Sequence, residues 1–231
     1  MNEVLRQEKK YLMNLPDSQS LSQRLGNVMI LDEHSGELGY QVRSLYFDTL
    51  DDDDFSDKVD GLELRQKIRL RCYSPAADFA MLEMKQKSGT YQKKSSLRLK
   101  REDAERMTQG DYSPLLTYDD PFAKECYAFM NYRCYRPKAI VEYRRRAFVA
   151  KGNRIRITLD SEIVATEACF DIFSDKLCQY PVFDPFNVVL EVKYNGFLFS
   201  YIKELVSTAD RSEFSVSKYC LARSVGRHYV I

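Results

Sequence analysis

Histidine is nearly absent: the chain has two among 231 residues. His34 and His228 lie far apart, and neither has a metal-ligand partner at helical or hairpin spacing. A histidine-built metal site or proton relay is therefore not expected. The six cysteines (72, 126, 134, 169, 178 and 220) form no CxxC pair and no ligand spacing, so the expectation is reduced, mostly buried thiols and a cytoplasmic protein. No apolar run approaches the roughly 20 residues of a membrane span. The first residues, MNEVLRQEKKYL, are charged from the third position and hold no apolar core of signal-peptide length. Net charge is nearly absent too, at +1. No global field advertises nucleic acid or acidic lipid, and any polyanion site must come from local segregation of charge. Repeats, low-complexity stretches and Pro/Gly-rich breaks are all missing, which makes a single domain over 1–231 the economical expectation.

What is present is alternation. Period-two segments recur at Val4 to Leu12, Val42 to Asp48, Leu62 to Tyr73, Phe79 to Lys87, Ser95 to Lys100, Ala139 to Ala150, Arg154 to Glu162 and Val188 to Tyr194. Helical stripes lie among them. Pro16-Asp17 opens one with Leu21, Leu25, Val28 and Met29 on a face, and Asp120-Pro121 caps another with Phe122, Cys126, Phe129 and Met130 aligned. Phe197, Tyr201, Ile202, Leu205 and Val206 form a third. About eight strands with interspersed helices make an antiparallel α+β pattern. Asp51 to Asp54 reads as a solvated loop between a strand end and the turn near Gly61.

The strands segregate charge. In LELRQKIRLRCY (62–73), Glu63, Arg65, Lys67, Arg69 and Arg71 share one face, opposite Leu62, Leu64, Gln66, Ile68, Leu70 and Cys72. Glu83, Lys85 and Lys87 share a face with Met81; Arg154, Arg156 and Asp160 oppose Ile155, Ile157 and Leu159; Glu191 and Lys193 oppose Leu190 and Val192. Arg6, Glu8 and Lys10 form one more set, and Arg144, Arg145 and Arg146 leave their register open. One such strand is ordinarily a half-buried sheet with a wet face. Two cations roughly 6–7 Å apart repel by roughly 0.6 kcal/mol in bulk water but about 2.5 kcal/mol at an effective dielectric of 20. Cations outnumber carboxylates on these faces, so an external anion is the natural partner. A barrel charged inside and clad in helices outside meets both demands, and phosphates suit Arg and Lys. The cations lie on strands rather than along an exposed helix, and no stacking motif accompanies them, so nucleic acid is not expected. The tyrosines and phenylalanines read as core.

RQEKKY (6–11), SLYFDT (44–49), KIRLRCY (67–73), LEMKQK (82–87), EYRRRAF (142–148), RIRITLD (154–160), LEVKY (190–194) and SKY (217–219) occur in this order. Together they resemble the catalytic domain of the vacuolar transporter chaperone (VTC) family, a polyphosphate polymerase. That family belongs with the triphosphate tunnel metalloenzymes, of CYTH-like type. The resemblance spans nearly the whole chain. It implies a closed eight-stranded antiparallel barrel with a charged lumen. It also implies catalytic roles for Arg69, Arg71, Lys85, Arg145, Arg156 and Lys218, with Arg144 or Arg146 as alternatives to Arg145. Arg6, Lys10, Lys67, Lys87, Lys94 and Lys193 would bind substrate, and Glu191, assisted by Glu8, would hold Mn²⁺ or Mg²⁺.

Many triphosphatase and cyclase members begin with Glu-x-Glu-x-Lys. Here the strand is Arg6-x-Glu8-x-Lys10, which removes a metal ligand and adds a phosphate ligand. The expected reaction moves the γ-phosphoryl of ATP onto phosphate or polyphosphate. A terminal phosphate oxygen is already anionic and needs no general base, which suits a chain poor in histidine. The runner-up is a triphosphatase, which must activate water. A non-catalytic polyphosphate-binding module is the third reading, and nucleic-acid binding the fourth. The expected partners are ATP and polyphosphate or triphosphate, with no membrane span in the chain.

Overall fold

A computed structural model describes residues 6–36, 38–89, 91–207 and 217–227, without the side chains of Arg6, Gly226 and Arg227. Among the described residues there are ten strands and six α-helices. In chain order they are β1 (Arg6–Asn14), α1 (Leu15–Gly26), β2 (Ile30–Leu31), β3 (Tyr40–Asp48), α2 (Asp53–Val59), β4 (Leu64–Cys72), β5 (Phe79–Ser88) and β6 (Tyr91–Lys100). There follow α3 (Arg101–Thr108), α4 (Pro121–Tyr132), β7 (Arg136–Val149), β8 (Arg156–Thr166), β9 (Tyr180–Pro181), β10 (Asn187–Asn195), α5 (Ser200–Val206) and α6 (Lys218–Arg227). All eight period-two segments are strands. The additional β2 and β9 have two residues each, too short to alternate.

The chain divides into two compact units. The first holds the described residues of Met1–Gln41, Tyr143–Ile163 and Phe183–Val216. Its strands run β1–β10–β8–β7, with β2 also paired to β7. One face buries Met13, Ile157, Leu159, Val188, Leu190 and Val192 against Leu21 and Leu25 of α1 and Ile202 and Val206 of α5. Asn14 ends β1 and starts α1: its side-chain oxygen accepts a hydrogen bond from the Asp17 amide at 2.8 Å, and Pro16 sits in the first turn. In the third predicted stripe only Ile202 and Val206 are buried. Phe197 and Tyr201 are exposed and meet Phe199 instead, because the helix begins only at Ser200.

The second unit holds the described residues of Val42–Glu142, Val164–Val182 and Ser217–Ile231, with strand order β7–β3–β4–β5–β6 and β9 against β8. Leu45, Phe47, Ile68, Leu70, Leu82, Met84 and Leu99 line the apolar face under Ala104 and Met107 of α3 and Ala123, Cys126 and Met130 of α4. Asp120 caps α4 by accepting from the Phe122 amide at 2.7 Å, ahead of Pro121.

The antiparallel α+β expectation holds, and all eight expected strands are present, with β2 and β9 as two-residue additions. Closure of the barrel is corrected, since β1 and β6 each have a single pairing partner, β10 and β5 respectively, among the described residues. Strand β6 has the character of an edge: seven of its ten residues are exposed, including Lys93, Lys94 and Arg98. Two further expectations fall. Cys72 and Cys126 are buried, but Cys134 and Cys178 are exposed and Cys169 and Cys220 half-buried. The Asp51 to Asp54 run is not a solvated loop. Asp52 and Asp54 are buried, and Asp53 starts α2.

The reason lies in Asp48, which is fully buried at the end of β3. Its carboxylate accepts from the amides of Thr49 (2.8 Å), Asp54 (2.9 Å) and Phe55 (3.0 Å), and from the Tyr219 hydroxyl of α6 at 2.6 Å. One side chain thus satisfies the first turn of α2 and anchors α6. Replacing Asp48 by Ala strands several buried donors, so we expect a loss of about 3 kcal/mol or more in urea unfolding. Stability within 0.5 kcal/mol of the parent would show that Asp48 does not hold α2 and α6.

Candidate active site

Strand register turns the sequence pattern of the second unit into a grid. Lys67 of β4 stands opposite Lys85 of β5, which stands opposite Lys94 of β6. The next row is Tyr46, Arg69, Glu83 and Ser96, and the next Ser44, Arg71, Met81 and Arg98. Like charges directly opposite each other destabilise a sheet, so the three-lysine row opposes its own assembly. Lys67, Arg69, Arg71, Lys85 and Lys94 face Glu83 as the carboxylate within these rows. Asp48, nearby, is committed to α2 and Tyr219.

Glu83 is 4% exposed. Its Oε2 receives Arg69 Nε at 2.7 Å and Nη2 at 2.6 Å, Arg71 Nη1 approaches to 3.8 Å, and Lys94 pairs with Oε1. Burial alone would raise this carboxyl, yet the charges of Arg69, Arg71 and Lys94 outweigh burial and hold it at about 2. Arg71 also donates to Ser44 Oγ at 3.1 Å, and Arg69 to the Tyr46 hydroxyl at 3.2 Å. Lys67 donates to Ser217 Oγ at 2.6 Å and lies 5.7 Å from the ring centres of both Tyr46 and Tyr219, which stack at 5.2 Å. Tyr46 reports the local field. Burial should raise its phenol, but Arg69, Lys67 and Arg71 pull it down to about 8. Lys87 is half-buried one row beyond Lys85, opposite Arg65, and Lys218 is half-buried in the first turn of α6.

The first unit carries a balanced cluster. Glu8, Lys193 and Arg156 form one cross-strand row, and Lys10, Glu191 and Thr158 the next. Lys193 Nζ lies 2.8 Å from Glu191 Oε1 and 3.7 Å from Glu8 Oε2, while Lys10 Nζ is 2.9 Å from Glu8 Oε1. Arg145 takes Asp160 with Nε at 2.6 Å and Nη2 at 2.7 Å, and reaches Glu191 Oε2 at 3.5 Å. Arg144 instead pairs at the surface with Glu162, and Arg146 lies over Phe148, so Arg145 is the arginine of its strand on the polar face. Burial opposes ionisation of Glu191, but Lys193, Lys10 and Arg145 hold it well below the usual carboxylate range. Arg156 binds Asp32 at 2.6 Å. Gly39 lets its own backbone pass close to β7: at φ +77° any Cβ there would stand 2.5 Å from the Arg145 carbonyl oxygen. Arg6 begins β1, but its side chain lies outside the described residues, as does His228.

Sequence reasoning missed Asp32, whose strand-end position carries no periodic signal. Tyr46 and Tyr219 are buried, as expected of core tyrosines, but their stacking beside Lys67 carries no local sequence signal.

Among the described residues no group of three His, Cys, Asp or Glu side chains forms a ready metal cage. The donors around Glu191 nevertheless suit a hard cation that keeps water or phosphate ligands. Two carboxylates flank the Lys193 ammonium, itself a cation standing between them, and the buried Thr158 hydroxyl opposite Glu191 has no hydrogen-bond partner among the described residues.

The Glu83 cluster sets a pH dependence. Its folded value of about 2 lies below the ordinary 4.5, so its contribution is present above about pH 5 and lost as pH falls through 4.5 towards 2. Wild-type protein should lose about 2 kcal/mol over that interval beyond what Glu83→Gln loses, read from denaturant midpoints at each pH. Parallel curves for the two proteins would remove Glu83 as the source.

Comparison with known proteins follows the same lines. Solved structures with this fold include a putative adenylate cyclase from Bacillus halodurans (12% identity, TM-score 0.55, covering 94% of this chain and 96% of that one). Another is a putative adenylyl cyclase from Hippeastrum described as having a dominant triphosphatase activity (12%, TM-score 0.57, 95% and 96%). A third is a putative adenylate cyclase from Vibrio parahaemolyticus (14%, TM-score 0.51, 94% and 98%). No curated protein matches by sequence. A family model for the VTC domain matches residues 5–225, and the chain belongs to that family.

Proposed function

We propose that the chain is a polyphosphate polymerase that transfers the γ-phosphoryl of ATP onto phosphate or a growing polyphosphate. The observation that carries this reading is the Lys67–Lys85–Lys94 row beside buried Arg69 and Arg71, five cations against Glu83. Such a face gains most from a compact chain of phosphates, which replaces like-charge repulsion with charge-assisted hydrogen bonds. Membership of the VTC family over both units supports treating residues 1–231 as one functional domain.

In this reading Lys67, Lys85 and Lys94, with Lys87, bind phosphate oxygens as point charges. Arg69 and Arg71, oriented by Glu83, Ser44 and Tyr46, neutralise charge on the transferred group. Arg145, Arg156, Lys10, Lys193, Arg6 and Lys218 are further phosphate ligands. Glu191 and Glu8, with the Thr158 hydroxyl, would hold Mg²⁺ or Mn²⁺, which supplies charge neutralisation of the triphosphate. The nucleophile is a terminal phosphate oxygen, so no side chain has to remove a proton. Arg6, in place of the first carboxylate of Glu-x-Glu-x-Lys, favours phosphate as acceptor over water. Triphosphatase activity, described for the Hippeastrum protein, is the second reading. The thiols, all free, suit a cytoplasmic setting, and no helix among the described residues is long and apolar enough to cross a membrane.

Incubation with ATP and Mn²⁺ should produce polyphosphate ladders on a gel. Free phosphate alone would transfer the assignment to triphosphatase, and neither product to a binding module. Glu191→Gln should abolish metal-dependent turnover yet keep most tripolyphosphate affinity, whereas Lys85→Ala should weaken that affinity about tenfold. Unchanged turnover in Glu191→Gln would take it out of the metal site.

Tyr46 adds a pH test. Its phenolate forms as pH rises through about 8 and puts a negative charge among the cations. Tripolyphosphate affinity should therefore fall more steeply above pH 8 in the wild type than in Tyr46→Phe. Identical pH profiles would mean that the bound anion is not beside Tyr46.

A further inference from the structure

Two buried carboxyl groups meet at the first turn of α2. Asp48 is fully buried and Asp54 is 2% exposed. Oδ1 of Asp48 accepts from the Asp54 amide at 2.9 Å, so the two acids are neighbours across that peptide. Among the described residues neither forms an ion pair. The acids beside Asp54 in the run do: Asp52 with Lys138 and Arg223, and Asp53 with Arg133.

Two such charges without cations are not both kept in a buried place, and hydrogen bonding decides which is given up. Asp48 receives three backbone amides and the Tyr219 hydroxyl. Asp54 receives the Tyr135 hydroxyl, 3.0 Å from both of its oxygens, and the Gln66 amide, which also donates to Tyr135 at 2.6 Å. The donors thus favour the charge on Asp48 and the proton on Asp54. Burial and the neighbouring Asp48 push the Asp54 carboxyl up to about 8, against the lowering pull of Tyr135, Gln66 and Lys67. The other charged groups around it are engaged elsewhere or lie across open space. Lys67 of β4 donates to Ser217 at 2.6 Å, and Arg133 beyond α4 bridges to Asp53 at 2.8 Å. Asp57 of α2 and Arg65, Lys87 and Lys93 of β4, β5 and β6 line the groove that Asp54 borders, and Arg223 of α6 is bound to Asp52 and Glu167.

The pair is also a joint between two helices. Asp48 holds the Asp54 and Phe55 amides of α2 and the Tyr219 hydroxyl of α6, and the Phe55 ring meets the Tyr219 ring edge-on at 6.4 Å. Tyr219 in turn stacks on Tyr46, beside Lys67. We propose that the Asp48–Asp54 pair is a pH-dependent latch: loss of the Asp54 proton releases α2 and α6 together, and so lifts Tyr219 and Ser217 from Lys67 on the cation face. While latched, Asp54 keeps its proton up to about pH 8, whereas once released into water it titrates at the ordinary 3.8. Between those values each unit rise in pH favours opening about tenfold; above about 8 both forms have lost the proton and the gain stops.

The test reads opening rather than turnover, so it stands whether or not the chain makes polyphosphate. Hydrogen exchange of the full chain is followed from about pH 6 to about pH 9 and corrected for the intrinsic rate of each amide. Opening constants for α2 and α6 should climb together, about tenfold per pH unit, and level off near pH 8. Asp54→Asn, with no proton to lose, should abolish the climb in both helices. Tyr46→Phe should keep it, which separates the latch from ionisation of that phenol. Tyr135→Phe removes a donor that favours the Asp54 charge, so its plateau should move to higher pH, and this variant keeps the proposal testable if Asp54→Asn fails to fold. The proposal is overturned by a flat profile in the wild type, by a climb confined to one helix, by a climb that survives Asp54→Asn or vanishes in Tyr46→Phe, or by an unmoved plateau in Tyr135→Phe.

Discussion

Buried positive charge is the constraint from which the rest follows. Arg69 and Arg71 are less than a tenth exposed, on a face that also carries Lys67, Lys85 and Lys94. Glu83 makes this tolerable by receiving Arg69 through two nitrogens while also engaging Lys94 and, at longer range, Arg71. Desolvation would ordinarily push such a carboxyl towards neutrality. That Glu83 is held instead at about 2 shows how far cations dominate the face. The same field draws down the Tyr46 phenol. A carboxylate on β5 and a phenol on β3, either side of β4, are both raised by burial and both drawn down, and so record the same excess of positive charge.

The first unit solves the problem differently. Lys10, Arg145, Arg156 and Lys193 are matched by Glu8, Asp32, Asp160 and Glu191, so each cation has an internal partner. The second unit instead sets Lys67, Lys85 and Lys94 opposite one another across three strands. The unpartnered Thr158 hydroxyl adds a donor beside Glu191 that the ion pairs do not use.

Asp48 links this arrangement to the fold. By taking two amides of α2 and the Tyr219 hydroxyl, it places Tyr219 over Tyr46 and brings Ser217 to Lys67. The acidic run that follows it is used in the same region: Asp52 pairs with Lys138 and Arg223, and Asp54 is buried against Tyr135. The run resembles solvated loop because the partners of Asp52, Asp53 and Asp54 lie 80 to 171 residues away. Nothing in the local string distinguishes an acid awaiting such partners from one facing water.

Alternation by itself determined the eight long strands, the two faces of most of them and the apolar stripes of α1 and α4, since the strand period is two and a helix stripe recurs within a turn. The motif strings determined the family. Only the tertiary structure decided which arginine of Arg144 to Arg146 turns onto the polar face, which carboxylates answer which cations, and that the ladders end at β1 and β6. Those outcomes depend on cross-strand register and on acids brought in from remote segments, and both are set by packing between stretches whose sequences carry no mark of one another.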